Sequence, residues 1–160
     1  MKHLLIALLA AFSLQVCAQE TPKETPQLEF AMQLRVTIGE PYSCGETQHG
    51  ERIVIPITGG TFEGPKLKGT IMNGGADYQL VNKTLNRTEL EAIYCIKTDD
   101  GVNIHVRNRG IIADGYFKCA PQFEAPADSK YAWLNNAIFV CSPDWTQGFK
   151  GIVLNVWMVK

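Results

Sequence analysis

A small set of acidic, basic, amide and aromatic side chains could bind or transform a small organic molecule. They lie beside glycines or inside strand-like segments, and they are Glu63, Asp77, Gln79, Arg107, Arg109, Trp133 and Asn135. A carboxylate can serve as a general base, and an arginine can hold a carboxylate or phosphate through paired hydrogen bonds. These residues form the candidate ligand-binding set, and the sequence assigns a catalytic role to none of them.

The two carboxylates of this set each have a structural alternative. Glu63 follows Gly59-Gly60-Thr61-Phe62, where glycine lets the backbone bend, so it is either a base or a cap for exposed N–H groups at a barrel corner. Asp77 comes just after Gly74-Gly75 and shares a strand face with Gln79. If that face lines a barrel interior, these polar groups belong to a small-ligand pocket; if it points outward, they are solvated.

The arginines also allow two interpretations. Arg107 and Arg109 alternate along one predicted strand, and His105 shares their face. They either bind an anion or belong to a structural ion-pair network, because an unpaired buried charge is very costly. The acidic partners considered for such a network are Glu63, Asp77 and Glu124.

Trp133 and Asn135 lie in a loop between strands, where they either close the mouth of a ligand site or plug one end of the barrel. The chain has no Ser-His-Asp or Cys-His arrangement with supporting context. It also lacks a phosphate loop and a dinucleotide fingerprint, because its glycine pairs join strands and do not lead from a strand to a helix. We therefore expect no cofactor.

Strands must position these side chains, and the first strand is strongly marked. Apolar residues recur with a period of two at Leu28, Phe30, Met32, Leu34, Val36 and Ile38, which indicates a long half-buried strand. Further strands are predicted at residues 52–58, 66–72, 77–82, 89–98, 102–109, 116–124, 137–141 and 151–159, with one short helical turn within residues 129–135.

Eight or nine short strands, glycine-rich turns and no long helix predict an all-β protein. We expect a single antiparallel β-barrel, similar in general shape to a lipocalin. The last strand is apolar on both faces, which indicates that its outer face is covered, and we therefore expect a homo-oligomer. The residues concerned are Ile152, Val153, Leu154, Val156, Trp157, Met158 and Val159.

The N-terminus predicts export. A basic start, an apolar run and the site Val16-Cys17-Ala18 are typical of a secretory signal peptide over residues 1–18. Residues 19–27 are polar with two prolines and predict a flexible segment, which leaves residues 28–160 for the barrel. We expect a periplasmic or secreted protein without a membrane span. The alternative is a lipoprotein anchored through Cys17, although Val16 suits that signal poorly.

Cysteine content and net charge indicate which covalent links, metal sites and binding partners to expect. Export would place Cys44, Cys95, Cys119 and Cys141 in an oxidising compartment, where they could form up to two disulfides. They show no Cys-x-x-Cys spacing, so no metal site is predicted. The formal net charge of −1 gives no basic face of the kind that binds nucleic acid.

Several segments together resemble a bacterial family known as domain of unknown function 3237, over residues 28–159. They are Gly59-Gly60-Thr61-Phe62-Glu63-Gly64-Pro65, Gly74-Gly75-Ala76-Asp77-Tyr78-Gln79-Leu80, Thr98-Asp99-Asp100-Gly101, Arg107-Asn108-Arg109-Gly110 and Tyr131-Ala132-Trp133-Leu134-Asn135. The resemblance implies a single antiparallel β-barrel and attaches no reaction or ligand. The cysteines and the signal peptide fall outside the family pattern and read as features of an exported member.

Three functions remain open on the sequence. The first is a barrel that binds a small organic ligand in an internal cavity. The second is an acid–base enzyme, such as a lyase, isomerase or cyclase, with Glu63 or Asp77 as base and Arg109 as electrostatic stabiliser. The third is a structural or interaction module whose barrel is filled by its own side chains. A cavity-facing carboxylate with a raised pKa beside an unpaired donor would favour the enzyme.

Overall fold

A computed structural model of the chain describes residues 24–160 and consists almost entirely of strands. The strands are β1 (Leu28–Ile38), β2 (Tyr42–Thr47), β3 (Gly50–Glu63), β4 (Lys68–Ile71), β5 (Gly75–Asn82), β6 (Arg87–Thr98), β7 (Asn103–Ala113), β8 (Tyr116–Glu124), β9 (Ile138–Pro143) and β10 (Ile152–Val159). Two short 3-10 helices, Ala132–Asn136 and Trp145–Gln147, lie in the last connections. Within this part of the chain, no helix is long and apolar enough to cross a membrane.

The strands close into an eight-stranded antiparallel barrel with two additional strands, which confirms the predicted fold. The sheet runs in the order β1-β10-β9-β8-β7-β6-β4-β3, and β3 pairs again with β1. Both β4 and β5 lie between β3 and β6, so they occupy one position of the ring in succession. β2 pairs with the first half of β3, whereas β1 pairs with its second half.

Alternation along each strand fills the barrel. On β6, Leu90, Ala92, Tyr94 and Ile96 are buried and belong to the interior cluster, while the residues between them face outward. Burial of such apolar side chains is the main source of stability for a barrel of this size. The largest side chains with almost no exposure are Phe139, Met32, Leu34, Ile96, Ile104, Leu134, Val106, Val156, Asn108 and Cys141.

The glycine pair in the first glycine-rich segment continues a strand and does not end it. β3 extends through Gly59 and Gly60, which have φ of 143° and 132°, to Glu63, so it is longer than the predicted strand at residues 52–58. A Cβ on Gly60 would overlap the carbonyl oxygen of Arg35 on β1. Only glycine therefore lets β1 and β3 approach closely enough to close the ring.

Other boundaries differ from the sequence expectation by smaller amounts. β2 was not predicted, because Tyr42–Thr47 is exposed and carries no apolar alternation. The predicted helical turn within residues 129–135 is found at Ala132–Asn136. The predicted signal peptide at residues 1–18, and residues 19–23 of the predicted flexible segment, lie outside the described residues.

The expected disulfides are not formed in the structure. Cys44, Cys95, Cys119 and Cys141 are free thiols. Cys44 is exposed on β2, and Cys95 lies on the outer face of β6 opposite His105, so neither adjoins another cysteine of the barrel interior. Of these four cysteines, Cys119 and Cys141 lie opposite each other, on β8 and β9.

An apolar patch covers the outer face of three neighbouring strands. Leu28, Val159 and Ile138 form one row across β1, β10 and β9, and Phe30, Trp157 and Val140 form the next row. The rings of Phe30 and Trp157 meet edge to face with centroids 6.5 Å apart. Leu28, Phe30 and Ile138 are exposed, so this outer patch has no cover within the described chain.

Candidate functional site

A polar strip faces the barrel interior across β5, β6 and β7. Asp77 lies opposite Ala92, and Ala92 lies opposite Asn108. Ala92 belongs to the buried interior cluster and Asn108 is only 1% exposed, so the three side chains share the inner face. Gln79 follows Asp77 on the same face of β5. The sequence alternative in which Asp77 and Gln79 line the barrel is therefore the one found.

The Asp77 carboxylate takes the place of a missing backbone partner. The ladder between β5 and β6 includes the pairs Asp77–Ala92 and Leu80–Glu89 but not the two pairs between them. At this interruption, Oδ1 of Asp77 accepts the backbone N–H of Glu91 at 3.1 Å. Its Oδ2 accepts a hydrogen bond from Nε2 of Gln79 at 2.8 Å. The carboxylate is thus held in one orientation by two donors.

Burial raises the pKa of the Asp77 carboxyl above its ordinary value of 3.8. The hydrogen bonds from Gln79 and from the Glu91 backbone favour the charged form and oppose this rise only in part. No lysine or arginine of the described chain contributes to the shift. Asp77 therefore keeps its proton to a higher pH than an ordinary aspartate does.

A buried hydroxyl lies deeper on the same inner face. Tyr94 is 4% exposed, and its hydroxyl has no hydrogen-bond partner among residues 24–160. Burial, and then the proximity of Cys141, Cys119 and Asp77, raise the pKa of the Tyr94 phenol, so it stays neutral. A buried unpaired hydroxyl costs about 1–3 kcal/mol, and a polar atom bound beside it would recover that energy.

The polar strip continues from Asn108 into β8 and β9. The amide of Asn108 donates from Nδ2 to Sγ of Cys141 at 3.7 Å, and that thiol donates to Oδ1 of Asn108 at 3.8 Å. Gly110, the next inward position of β7, lies opposite Cys119. A Cβ on Gly110 would lie 2.9 Å from the Cys119 sulfur, so the thiol occupies the space that a side chain would need.

A cavity lies at the end of the barrel that carries the turns after β5 and β7. Val81, Thr88 and Ile112 form an inner row near the turns after β5 and β7, and they line a cavity of about 390 Å³. The next inward positions below this row include Gln79 and the small Gly110, and then come Asp77 and Ala92. Asp77 and Gln79 are half-buried, whereas Asn108 and Tyr94 are buried. We call this cavity the barrel mouth; Asp77 lies two inward positions below Val81 on β5, and neither Asp77 nor Gln79 is among the residues that line the cavity.

The opposite end of the barrel is closed by the predicted loop residues. Trp133 packs against Phe139 with ring centroids 6.0 Å apart, and the Lys66 ammonium lies 5.3 Å from the Trp133 ring centroid. Asn135 donates to the carbonyl of Ala125 at 2.9 Å and accepts its N–H at 2.7 Å. Trp133 therefore forms the plug that was the alternative to a ligand mouth, and the exposed Asn135 ties its loop to the residue that follows β8.

The predicted arginines lie on the outer face. Arg107 and Arg109 each donate Nε to Oε1 of Glu91, at 2.6 and 2.7 Å. Arg109 first, and then Arg107, lower the pKa of the Glu91 carboxyl. Their acidic partner is thus Glu91 and not one of the three residues expected. This paired carboxylate borders an outer groove of about 860 Å³ that also reaches Lys118 and Cys119.

Glu63 is separate from the polar strip. It stands at the exposed end of β3, between Gln33 of β1 and Lys68 of β4. With Arg35 and Asp99 it borders a cavity of about 330 Å³. Because Phe62 is the inward residue at this end of β3, Glu63 faces outward.

The structure therefore brings two residues of the predicted set, Asp77 and Gln79, into the polar strip, and it joins Arg107 and Arg109 through Glu91 on the outer face. It adds Tyr94, Asn108 and the thiol pair, which the sequence prediction did not include. Asn108 carried a usable signal, because it alternates with two arginines and burying an amide costs less than burying a guanidinium. Tyr94 carried none, since a tyrosine in an apolar strand is an ordinary core residue.

Comparison with known proteins places the whole barrel within a family pattern. The model of a family described as "Protein of unknown function (DUF3237)" matches residues 26–115 and 112–159. A UPF0311 protein of Rhodopseudomonas palustris (strain TIE-1) is 33% identical over 138 residues, which cover 74% of this chain and 89% of that protein. The hydroalkoxylation enzyme phnH of Penicillium herquei is 32% identical over 137 residues, 85% of either chain.

Solved structures agree with the barrel. The crystal structure of a conserved protein of unknown function from Rhodopseudomonas palustris has a TM-score of 0.78 at 31% identity, covering 88% of this chain and 100% of that one. The crystal structure of an enzyme from Penicillium herquei has a TM-score of 0.73 at 26% identity, covering 89% of this chain and 100% of that one.

Proposed function

The chain belongs to the family described as "Protein of unknown function (DUF3237)", and within it we propose an acid–base enzyme that acts on a small organic molecule. The observation that carries this proposal is the half-buried Asp77 carboxyl, whose pKa is raised by burial and which has no cationic partner among residues 24–160. An unpaired hydroxyl, that of Tyr94, lies nearby on the same face. The similarity to a relative named as a hydroalkoxylation enzyme supports the same class of chemistry.

In the proposed reaction, the O–H bond of a hydroxyl group adds across a carbon–carbon double bond. The O–H bond and the π bond break, a C–O and a C–H bond form, and no atom or electron is gained or lost. Protonated Asp77 gives its proton to the alkene carbon while its other oxygen takes the hydroxyl proton, which regenerates the acid. The raised pKa keeps the required protonated form available nearer to neutral pH.

The substrate is proposed to enter through the barrel mouth. Val81 and Ile112 offer apolar surface for a carbon skeleton at the barrel mouth. Gln79 holds Asp77 in position, and the Tyr94 hydroxyl is available to a polar group of the substrate. Glu91 is a poor candidate for the acid, since both arginines stabilise its charged form.

The experiment uses 2-allylphenol, a simple molecule that carries both a hydroxyl and an alkene. The wild-type protein is expected to convert it into the isomeric 2-methyl-2,3-dihydrobenzofuran, detected by chromatography, and Asp77→Asn is expected to lose most of this activity. Asp99→Asn is the control, because Asp99 is an exposed turn residue at the other end of the barrel. Equal activity of wild type and Asp77→Asn would contradict the proposal.

The second candidate is a binding protein without turnover, as the barrel mouth also suits a passive ligand site. It predicts saturable binding of an alkenyl phenol with no product and little effect of Asp77→Asn. Isothermal titration beside the activity assay separates the two functions, because only the enzyme consumes the probe.

Export is a further part of the proposal and rests on residues 1–18 of the sequence. The mass of the protein recovered from a bacterial periplasm is expected to correspond to a chain that starts at Gln19. A chain that starts at an acylated Cys17 would establish the lipoprotein alternative, and an uncleaved chain would contradict export.

A further inference from the structure

Two thiols lie face to face where two strands of the barrel are weakly joined. Cys119 of β8 and Cys141 of β9 form the one pair recorded in the ladder between these strands, within the described residues. Directly opposite residues of antiparallel strands have Cα atoms about 4.5–5.5 Å apart. That spacing falls inside the range of about 4.4–6.8 Å that a disulfide requires. The Cα spacing expected for this directly opposite pair therefore suits a cross-strand disulfide.

The two thiols differ in their surroundings. Both lie on the inner face of the barrel, where Cys119 is 5% exposed and packs against Gly110, and Cys141 is 1% exposed and is held by the Asn108 amide. The hydrogen bond from Cys141 lowers the pKa of the Cys119 thiol, and Lys118 beside it acts in the same direction. The same hydrogen bond and burial raise the pKa of Cys141. Cys119 is thus the better nucleophile of the pair.

We propose that Cys119 and Cys141 form a redox-active dithiol in which Cys119 attacks an external disulfide and Cys141 resolves the product. With glutathione disulfide, the Cys119 thiolate displaces one glutathione thiolate and forms a mixed disulfide. The Cys141 thiol then loses its proton and displaces the second glutathione, leaving a Cys119–Cys141 disulfide. The protein gives up two electrons and two protons, and both glutathione molecules take them up as thiols.

This inference is independent of the proposed enzymatic function, since neither step uses Asp77 or a substrate. A structural metal is a less suitable interpretation of the pair. Among residues 24–160, no group of three or more His, Cys, Asp or Glu side chains is arranged to hold a metal ion. A disulfide here would join β8 to β9 where backbone pairing is sparse, so oxidation is expected to stabilise the barrel.

The test is incubation of the wild-type protein in mixtures of reduced and oxidised glutathione, followed by alkylation and peptide mapping by mass spectrometry. As the oxidised fraction rises, Cys119 and Cys141 are expected to appear as one linked peptide pair that has lost two hydrogen atoms. The thermal unfolding temperature is expected to rise in parallel. Cys44 and Cys95 serve as internal controls that should form no intramolecular link, because no cysteine among residues 24–160 faces either of them.

Two variants test the order of attack. Cys141→Ser is expected to accumulate glutathione on Cys119 as a stable mixed disulfide, since the resolving thiol is absent. Cys119→Ser is expected to leave Cys141 unmodified under the same conditions. If both wild-type thiols stay alkylatable in fully oxidised glutathione, or if Cys141 reacts equally well without Cys119, the proposal is wrong. The wild-type result stands even if a variant folds poorly.

Discussion

Asp77 differs from the other perturbed carboxylates of the molecule in the direction of its pKa shift. Arg109 and Arg107 lower the pKa of Glu91, and hydrogen bonds from Thr98, Lys130 and Tyr131 lower that of Asp100. Asp77 has amide and backbone donors but no cation beside it in the described part of the chain, so burial prevails and its pKa rises. A carboxyl that retains its proton at a half-buried position is suited to proton transfer and poorly suited to stabilising the fold.

The difference in stability between Asp77→Asn and the wild type is therefore expected to depend on pH. Between the ordinary pKa of 3.8 and the raised pKa, folded wild-type protein binds more protons than the unfolded chain, so its stability falls as pH rises. Asparagine does not titrate, so the free energy of unfolding of the variant rises relative to that of the wild type as pH rises across this window. Urea denaturation at a series of pH values between about 3 and 7 measures the difference in the free energy of unfolding.

Glu91→Gln is the matched control with the opposite sign. The pKa of Glu91 is lowered in the folded state. The ionised carboxylate therefore contributes to folding stability above the ordinary pKa of 4.5, and this contribution is lost as pH falls through the lowered pKa. This variant should therefore lose stability relative to wild type as pH rises. If Asp77→Asn followed the same trend as Glu91→Gln, the raised pKa of Asp77 would be wrong.

At the scale of elements, alternation predicted most strands but left their inner and outer faces undecided. The segment from Arg107 to Arg109 is a strand as expected, yet Asn108 is the inward residue and both arginines face outward. A period of two gives relative orientation, and only the closed ring decides which face is inside. The facing thiols could not be predicted at all, because their pairing depends on the register between β8 and β9.

The closure of the ring at β1 and β3 gives a second prediction. Gly60→Ala would place a Cβ against the Arg35 carbonyl, whereas Gly45→Ala, also at positive φ, has no atom within 4 Å of the new Cβ. Both variants are destabilised because alanine rarely adopts a positive φ. Gly60→Ala should lower the free energy of unfolding by about 1–3 kcal/mol more than Gly45→Ala because of the overlap. Equal unfolding free energies in urea would mean that this contact does not limit closure.

The plug at the other end of the barrel gives a third prediction. Asn135→Ala removes the two hydrogen bonds to the Ala125 backbone and should destabilise the protein by about 1–2 kcal/mol. Asn136→Ala removes one long bond of 3.4 Å to Ala132 and should have a smaller effect. Thermal unfolding of both variants measures the difference. A lower unfolding temperature for Asn136→Ala than for Asn135→Ala would argue against Asn135 as the residue that holds this loop.

At the scale of the whole molecule, the barrel has one end plugged by Trp133, one end with the barrel mouth between the turns after β5 and β7, and an exposed outer patch. The sequence predicted the all-β barrel because alternation and turn chemistry act locally. It did not predict which end carries the site, since that depends on how the loops fold over the ring. The homo-oligomer remains a prediction, and the outer patch on β1, β9 and β10 is where it would form.

Light scattering after size-exclusion chromatography tests the prediction of an oligomer. The wild type should have a multiple of the monomer mass, and the double variant Leu28→Ser/Ile138→Ser should shift towards the monomer because both residues are exposed in the outer patch. Leu85→Ser is the control, an equally exposed leucine in the turn after β5. A monomeric wild type would contradict the prediction.

The most direct test of proton transfer by Asp77 is the conversion of 2-allylphenol in heavy water, with wild type and Asp77→Asn compared by mass spectrometry. We expect wild-type product that carries one deuterium on carbon, formed at a rate that falls as pH rises through the raised pKa, since the protonated carboxyl is the active form. We expect almost no product from Asp77→Asn. Deuterated product at the same rate from both proteins, or none from either, would contradict the proposed function.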